Sequence, residues 1–545
     1  MTRQGNRGGA EDVQARIGRA LAANDIAGAA RLAEAALRQG LTGPMLLNLA
    51  AWAREEAGDY AGAHRLLARA LAQAPGDVLI SGAIGAVLRK EGRYDEALAL
   101  LDRVVAAEPR HAAAWLERGY VLDALRERTA AAASYARALA VDPALAPAHG
   151  KLADAASQAG DGNTAQAHAA RALALDPNEP SAVAALATLE IEARDGSAAE
   201  ARLRALLAAG VKGEDRTRAL TLLGDALDRQ GRTQEAFASW SAAQGHFRRV
   251  HAGLLKPQPP AAPSHRQFIE RIRQQVAAGP VVPAAPPVTA VPGAAARHVF
   301  LLGYPRSGTT LVENVLASAS DVVALEERDT FAGIDGVLVA NDGAMPDLDA
   351  LPADMIERCR ADYWARVRTL AGDVEGRCFV DMNPFNGIKL PIIARLFPDA
   401  RILLMRRDPR DVVLSCFRIN FTPSPAAWCF SDLVEAARHY DALMELTELC
   451  RERLPLAVHE VRYDQLVSAF EPTVRAFADF IGLPWTDDFR RFDRTAQSRG
   501  VRTASATQVR RGLYDGRGQW RRYATELAPV LPLLAPWVAR FGFDA

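Results

Sequence analysis

Proline recurs at a fixed spacing of 34 residues in the N-terminal half of the chain, at Pro75, Pro109, Pro143 and Pro177. A second register has the same period and holds glycine at positions 58, 92 and 160, where a small residue lets two helices pack closely. Each proline is predicted to follow the end of a helix, because proline lacks an N–H group and disfavours helical geometry in the residue before it. Each unit is therefore predicted to be a pair of helices. Such pairs must stack into a solenoid, since one pair alone buries too little apolar surface.

The period of 34 residues is that of the tetratricopeptide repeat. About seven units can be followed, the first from near residue 8 and the last, less regular one to near residue 248. Stacked repeats of this kind form a curved groove that commonly receives peptides or partner helices. The groove is therefore predicted to bind a protein or peptide, although an alanine-rich array can also act as a spacer.

A phosphate-binding loop is predicted in the second half of the chain. It lies between the apolar run 298–302, which reads as a strand, and a helical pattern that continues through Leu311. Gly303 and Gly308 are separated by four residues, as in a Walker loop. In that geometry, backbone N–H groups and the positive end of the helix dipole face an anion. The alternative is a plain glycine-containing turn between a strand and a helix.

The side chains of this loop indicate which anion it suits. Ser307, Thr309 and Thr310 add hydroxyl donors to the backbone N–H groups. Thr309 stands where a Walker loop has its lysine, and the cation is instead Arg306, inside the loop. The loop is therefore predicted to bind a phosphate-bearing donor other than an ordinary nucleoside triphosphate.

A second phosphate site is predicted about a hundred residues further on. The apolar run 401–405 reads as a buried strand, Asp408 suits the N-cap of the next helix, and Pro409 suits its first position. Ser415 would then lie about two turns into the helix, where it can face back toward Arg407. Arginine and hydroxyl together form a phosphate clamp. The alternative is a solvated arginine cluster at a helix start.

In this order, the two sites resemble the 5′-phosphosulfate loop and the 3′-phosphate site of sulfotransferases that use 3′-phosphoadenosine 5′-phosphosulfate. The first site is matched by Arg306, Ser307, Gly308, Thr309 and Thr310, and the second by Arg407 and Ser415. Within that superfamily the chain looks most like the tyrosylprotein sulfotransferases and the bacterial sulfotransferases that carry tetratricopeptide repeats. The likeness runs from about residue 297 to the C-terminus. It implies a P-loop-type α/β domain with a central parallel sheet.

The resemblance also implies roles for three further residues. Those enzymes have a glutamate pair after the first helix, and Glu327 of the pair Glu326–Glu327 takes the catalytic place as the base that accepts the proton of an acceptor hydroxyl. Tyr463 matches a tyrosine near the adenine, and Ser505 lies in a segment that folds over the nucleotide in relatives. The alternatives are a solvated glutamate pair at a helix end and a half-buried structural tyrosine.

One position departs from the family pattern. Relatives have an Asp-Lys-x-Pro sequence where this chain reads Asp381-Met382-Asn383-Pro384, so a cation expected beside the transferring group is absent from that position. Two alternatives follow: Lys389 reaches inward in its place, or Arg306 acts alone. Lys389 can equally be a surface lysine whose stem covers apolar area.

Composition excludes several other classes. The chain has 545 residues, and Lys+Arg and Asp+Glu both total 65, which gives no support for nucleic-acid binding. The five cysteines and ten histidines show no metal-ligand spacing, so no metal is predicted. No signal peptide or membrane span is apparent, which favours a cytoplasmic location and no membrane partner.

The sequence thus predicts an N-terminal α-solenoid of tetratricopeptide repeats over 8–255, a Pro/Ala-rich linker with a short helix over 256–296, and a sulfotransferase domain over 297–545. The expected donor is 3′-phosphoadenosine 5′-phosphosulfate. Family likeness and the groove favour a tyrosine of a protein or peptide as acceptor. A small molecule or a glycan is the alternative acceptor. Two rival interpretations remain: a repeat scaffold with an inactive transferase domain, and a P-loop phosphotransferase.

Overall fold

The computed structural model describes residues 5–257, 262–279, 290–499 and 512–544. Within these ranges, side chains are described except at residues 5–11, 498 and 499. The chain divides into two compact units. The first comprises Met1–Ser157 and Asp161–Leu186, and the second comprises Gln158–Gly160 and Ala187–Ala545.

The first unit consists of successive helix pairs, and its helices are α1 Gly5–Ala22, α2 Ile26–Arg38, α3 Pro44–Glu56, α4 Tyr60–Gln73, α5 Val78–Lys90, α6 Tyr94–Ala107, α7 Ala112–Ala124, α8 Arg128–Val141, α9 Ala146–Ala159 and α10 Gly162–Leu175. The four periodic prolines each stand two residues after the end of α4, α6, α8 or α10. The glycines of the second register end α3, α5 and α9 with positive φ angles between 77° and 82°. The predicted solenoid is confirmed, and its period follows from these two kinds of helix end.

The second unit begins with further helices of the same kind. Helix α11, Pro180–Glu192, spans the division between the units, and it is followed by α12 Gly196–Ala208, α13 Gly213–Arg229 and α14 Thr233–Leu255. The short helix predicted in the linker is present as α15, His265–Ala278. The domain limits drawn at 255 and 297 stay a prediction.

A five-stranded parallel sheet forms the centre of the second unit, with strands β1 Arg297–Leu302, β2 Val322–Glu326, β3 Cys378–Met382, β4 Arg401–Arg406 and β5 Ala457–Arg462. The strand order is β2-β3-β1-β4-β5, and every neighbouring pair is parallel. The chain leaves β1 on one side for β2 and β3 and returns on the other side for β4. Strand order therefore reverses at the carboxyl end of β1, where open α/β sheets bind their ligands. The predicted α/β fold with a central parallel sheet is confirmed.

Among the described residues, the helices that accompany the sheet are α16 Thr309–Ala317, α17 Asp335–Leu338, α18 Ala353–Ala371, α19 Leu390–Leu396, α20 Pro409–Phe417, α21 Pro425–Phe430, α22 Leu433–Arg453, α23 Tyr463–Ser468, α24 Phe470–Ile481, α25 Phe492–Arg499, α26 Ala524–Leu527 and α27 Leu531–Arg540. Three 3₁₀ helices also lie in the described part of this unit, at Pro384–Lys389, Asp487–Arg491 and Gln519–Tyr523. The sheet core contains Val299, Leu301, Val380 and Leu403, all fully buried.

Helix α15 packs against α22 rather than standing free. The guanidinium of Arg266 pairs with Glu435 at 3.1 Å, and Arg453 donates to the carbonyl oxygens of Ala277 and Gly279 at 2.8 and 2.7 Å. A capping box at Ser264 fixes the start of the helix. This helical part of the predicted linker is therefore anchored to the α/β domain.

Candidate active site

The loop from Gly303 to Gly308 joins the buried end of β1 to the first turn of α16 in the geometry of an anion cradle. Arg306 and Gly308 have positive φ angles of 71° and 111°. At Gly308 an added Cβ would lie 2.9 Å from a ring carbon of Tyr463, so only glycine fits. These two turns bring the chain to the N-terminus of α16, where unpaired N–H groups attract an anion.

The hydroxyl groups of the loop are buried with it. Thr309 and Thr310 lie in the first turn of α16 and are almost wholly inaccessible. Ser307 is also buried, and its Oγ has no hydrogen-bond partner among the described residues. Since a buried hydroxyl normally finds a partner, this orphan atom marks a place where a ligand oxygen fits.

The two predicted phosphate sites meet at Arg306. The Nε of Arg306 donates to Ser415 Oγ at 3.1 Å, and Nη1 of Arg407 donates to the backbone oxygen of Arg306 at 3.0 Å. Burial above all, together with repulsion from Arg407, lowers the pKa of Arg306 to about 10, while Glu327 acts in the opposite direction. Arg306 therefore stays charged at neutral pH, in a place where its charge is little screened by water.

Arg407 and Ser415 do not bond to each other, as a simple clamp would require, but both reach the same loop residue. The guanidinium of Arg407 lies 4.7 Å from the ring centre of Tyr463. Its Nη2 donates to the backbone oxygen of Gly516 at 2.6 Å, and its Nε is buried without a partner among the described residues. Tyr463, predicted near an adenine, thus lies beside the predicted 3′-phosphate arginine.

A C-terminal segment closes over this cluster, and residues that sequence reasoning did not select hold it there. The carboxylate of Asp411 accepts the backbone N–H groups of Gly518 and Trp520 at 2.7 and 2.9 Å. The guanidinium of Arg410 lies 3.9 Å from the ring centre of Trp520. No sequence signal marks Asp411, because its partners are more than a hundred residues away. Ser505 lies outside the described residues.

A cavity of about 480 Å³ opens beside Arg407 and Tyr463, and its wall includes Arg517, Trp520 and Arg521. Aromatic and arginine side chains together are suited to a base and a phosphate. The size lies in the range of small-molecule sites.

Glu327 follows β2 at the same edge of the sheet, with a positive φ of 44°. Its backbone N–H donates to the carbonyl oxygen of Met382 at 2.7 Å, and its side chain is exposed. The Glu327 carboxylate acts to raise the pKa of Arg306, against the larger effect of burial. Glu327 and the loop thus both lie at the carboxyl ends of their strands, β2 and β1, and the role of Glu327 as base stays a prediction.

The positions around the missing lysine have structural roles. Met382 is fully buried and belongs to the sheet core. Lys389 pairs with Asp335 at 2.7 Å and lies 4.7 Å from the ring centre of Phe331, so its ammonium already has a carboxylate partner. Asp381 accepts the hydroxyls of Thr330 and Tyr363 at 2.6 and 2.7 Å, and burial raises its pKa to about 6.

Within the parts of the chain that the structure describes, no group of three or more His, Cys, Asp or Glu residues is placed to hold a metal ion. In those same parts, no helix is long and apolar enough to cross a membrane.

Family models match stretches in both halves of the chain. Residues 298–487 match the model of the Sulfotransferase family, and residues 54–119 and 184–245 match models of the tetratricopeptide repeat. The chain therefore carries a sulfotransferase-family domain together with tetratricopeptide repeats, as predicted.

Three of the similar proteins illustrate the likeness. An uncharacterized protein of Aquifex aeolicus is 31% identical over 248 residues, which cover 44% of this chain and 32% of that protein. Protein-tyrosine sulfotransferase 1 of Danio rerio is 23% identical over 264 residues, covering 45% of this chain and 72% of the relative. Among solved structures, MamA of Desulfovibrio magneticus is 26% identical with a TM-score of 0.26, covering 31% of this chain and 95% of that one. The match thus spans about a third of the Aquifex protein.

Proposed function

We propose that this chain, which carries a sulfotransferase-family domain alongside tetratricopeptide repeats, moves a sulfuryl group from 3′-phosphoadenosine 5′-phosphosulfate to an acceptor hydroxyl. The observation that carries the proposal is the convergence of two arginine–hydroxyl motifs on one loop. Arg306 contacts Ser415, and Arg407 contacts the backbone of Arg306. A donor with two separate phosphate groups matches two linked sites better than a donor with a single phosphate chain.

Two orphan atoms support the fit of this donor. The Oγ of Ser307 and the Nε of Arg407 are both buried without a partner among the described residues. Ser307, Thr309, Thr310 and the loop N–H groups would hold the 5′-phosphosulfate. Arg407 would hold the 3′-phosphate, and Tyr463 would lie near the adenine.

The roles in the reaction follow from the charges at the loop. As the acceptor oxygen bonds to sulfur, the bond from sulfur to the 5′-phosphate oxygen breaks, and negative charge grows on that phosphate. Arg306 and the N–H groups at the start of α16 would stabilise this charge. Glu327 would accept the acceptor proton, a contribution of roughly 10²- to 10⁴-fold for a positioned base. The products are the sulfated acceptor and adenosine 3′,5′-bisphosphate.

We favour a protein or peptide tyrosine as acceptor. Glu327 is exposed, so a side chain presented by a large molecule can reach it. The relative from Danio rerio is named for protein tyrosine, and tetratricopeptide repeats bind peptides or partner helices in general. The repeats would recruit the acceptor or a partner.

Calorimetric titration with adenosine 3′,5′-bisphosphate tests the donor site. The intact protein should bind it, and Arg407→Ala should weaken binding by roughly 10- to 100-fold, because a charge-assisted contact is lost. Arg401→Ala is the matched control, since Arg401 begins the strand that Arg407 directly follows and its side chain is exposed. Preference for ATP with magnesium would instead support a phosphotransferase.

The buried Met382 favours one second candidate, a repeat scaffold whose transferase domain binds the donor without turnover. In that case adenosine 3′,5′-bisphosphate should bind normally, but no peptide, small molecule or glycan should be sulfated. Sulfation of any acceptor that depends on Glu327 would exclude the scaffold.

A further inference from the structure

We infer that the helix pair α13–α14, the last of the repeat array, is a working part of the donor site. This inference rests on the proposed function. The pair contacts two elements that carry donor-site residues: helix α20, with Asp411 and Ser415, and the C-terminal segment 512–523. Its residues Asp228 and Gln244 are positioning residues, since they act through those two elements.

The first contact is with the end of α20. Gln244, which is buried on α14, donates through Nε2 to the backbone oxygens of Phe417 and Ile419 at 2.6 and 3.3 Å. The last carbonyls of a helix have no partner within it, so Gln244 supplies what α20 lacks. Phe237 of α14 stacks on Phe417, with ring centres 5.4 Å apart.

Further contacts continue this interface beyond the helix end. The guanidinium of Arg418 lies 5.0 Å from the ring centre of Trp240, and Thr221 donates to Asn420 at 2.8 Å. The segment after α20 is therefore fixed by both α13 and α14. Movement of α20 along its axis would break these contacts and shift Ser415 relative to Arg306.

The second contact is with the C-terminal segment. The carboxylate of Asp228, at the end of α13, accepts the hydroxyl of Tyr523 and accepts Nη2 of Arg522 at 2.7 Å. Tyr523 is fully buried, and its ring packs 5.4 Å from that of Trp240. This segment therefore ends in a buried anchor that the repeat helices provide.

The anchored segment is the one that covers Arg407. Five residues before Tyr523, Gly518 binds the carboxylate of Asp411, and Gly516 accepts Nη2 of Arg407. The backbone N–H of Gly516 also donates to the hydroxyl of Tyr463 at 3.2 Å. Loss of the anchor at Asp228 would free the segment that sets the position of Arg407 and Tyr463.

Asp228→Ala in the full-length protein tests this inference. Removing the carboxylate leaves a buried hydroxyl unpaired, so the Kd for adenosine 3′,5′-bisphosphate should rise roughly tenfold. The donor KM should rise with it, while kcat at saturating donor should change little, because Arg306 and Glu327 are untouched. Asp215→Ala is the matched control, an exposed aspartate on the same helix. Asp228→Asn, which can still accept the tyrosine hydroxyl, should restore most of the affinity.

A second measurement needs no ligand. Hydrogen exchange of the backbone amides of Gly518 and Trp520, which Asp411 holds, should accelerate in Asp228→Ala but not in Asp215→Ala. If Asp228→Ala misfolds, Tyr523→Phe replaces it, since only the hydroxyl is removed.

The outcomes separate this inference from the proposed function. A lower melting temperature with unchanged exchange and unchanged Kd would overturn the positioning role. If the unaltered protein fails to bind adenosine 3′,5′-bisphosphate, the proposed function fails. Hydrogen exchange in Asp228→Ala then still decides whether the repeat helices position the C-terminal segment. Faster exchange in a protein that does not bind the bisphosphate would mean that the helices position this segment without serving a donor site.

Discussion

Glu327 has a backbone conformation that glutamate seldom adopts. Its φ of 44° lies in the left-handed region, which costs a non-glycine residue on the order of 1–3 kcal/mol. The hydrogen bond from its N–H to the carbonyl oxygen of Met382 holds this turn. Such strain is concentrated at functional sites, which agrees with the role proposed for this carboxylate.

Glu327→Gln should lower kcat by roughly 10²- to 10⁴-fold, because the amide cannot accept the acceptor proton. Steady-state sulfation of a tyrosine peptide measures the effect, and titration with adenosine 3′,5′-bisphosphate should show unchanged affinity. The matched control is Glu326→Gln, the neighbouring residue at the end of β2. Equal loss in both variants would remove Glu327 from its assigned role.

Met382 stands where the family pattern has a lysine, and it has a packing role of its own. Its side chain is fully buried in the sheet core, in register with Leu301 of β1 and Glu326 of β2. The position therefore belongs to the packing of the strands in this protein. Arg306 is the cation that the structure places at the loop.

Met382→Lys should destabilise the protein by about 3–5 kcal/mol, because an unpaired charge would be buried. Met382→Leu should cost less than about 1.5 kcal/mol, since it keeps the volume and polarity of the site. Chemical denaturation of both variants measures the difference. If the lysine variant is as stable as the leucine variant and turns over faster, the position opens into the active site and our interpretation is wrong.

At the scale of elements, a chain of hydrogen bonds joins helix α15 to the loop that follows β1. Nδ1 of His265 lies 2.7 Å from Nε2 of His439 on α22, and Nδ1 of His439 lies 2.8 Å from the hydroxyl of Tyr304. Burial lowers the pKa of His265 to about 4 and holds the pKa of His439 well below its usual value, with Arg266 adding to the effect on His439. Both rings are therefore neutral at pH 7.

These histidines should make the protein lose stability in acid. Between about pH 6.5 and 4 the unfolded chain binds protons on these rings while the folded chain does not, so the free energy of unfolding falls as pH is lowered through that window. His265→Gln keeps a hydrogen-bonding side chain without a titrating group, so its stability should fall less steeply. Calorimetric unfolding of both proteins across the window measures the slopes. Parallel slopes would show that His265 does not contribute.

At the scale of the whole molecule, the repeat array and the compact units have different limits. The 34-residue period continues to near residue 248, whereas the division by contacts falls between Leu186 and Ala187. The helices from α12 onward therefore share their unit with the parallel sheet. The 34-residue period alone cannot detect this. A repeat that also packs on another element keeps the residues that pack it against neighbouring repeats, so its period is unchanged.

The sequence by itself determined the architecture. Periodic proline and glycine produce the helix ends wherever they occur, and an apolar run followed by a glycine loop produces a strand, a turn and a helix, since these are local effects. The same local rules predicted the loop residues and the pair Arg407 and Ser415, whereas Glu327 was predicted from the resemblance to sulfotransferases, and the roles of all of them stay predictions.

Only the tertiary structure decided which neighbours those residues have. Arg406 and Arg407 are adjacent and chemically identical, yet Arg406 is buried against Glu448 of α22 while Arg407 reaches the loop. Asp228, Asp411 and Gln244 acquire their roles from partners more than a hundred residues away. Contacts over such distances depend on how the elements pack, and no pattern within a single stretch of sequence records that packing.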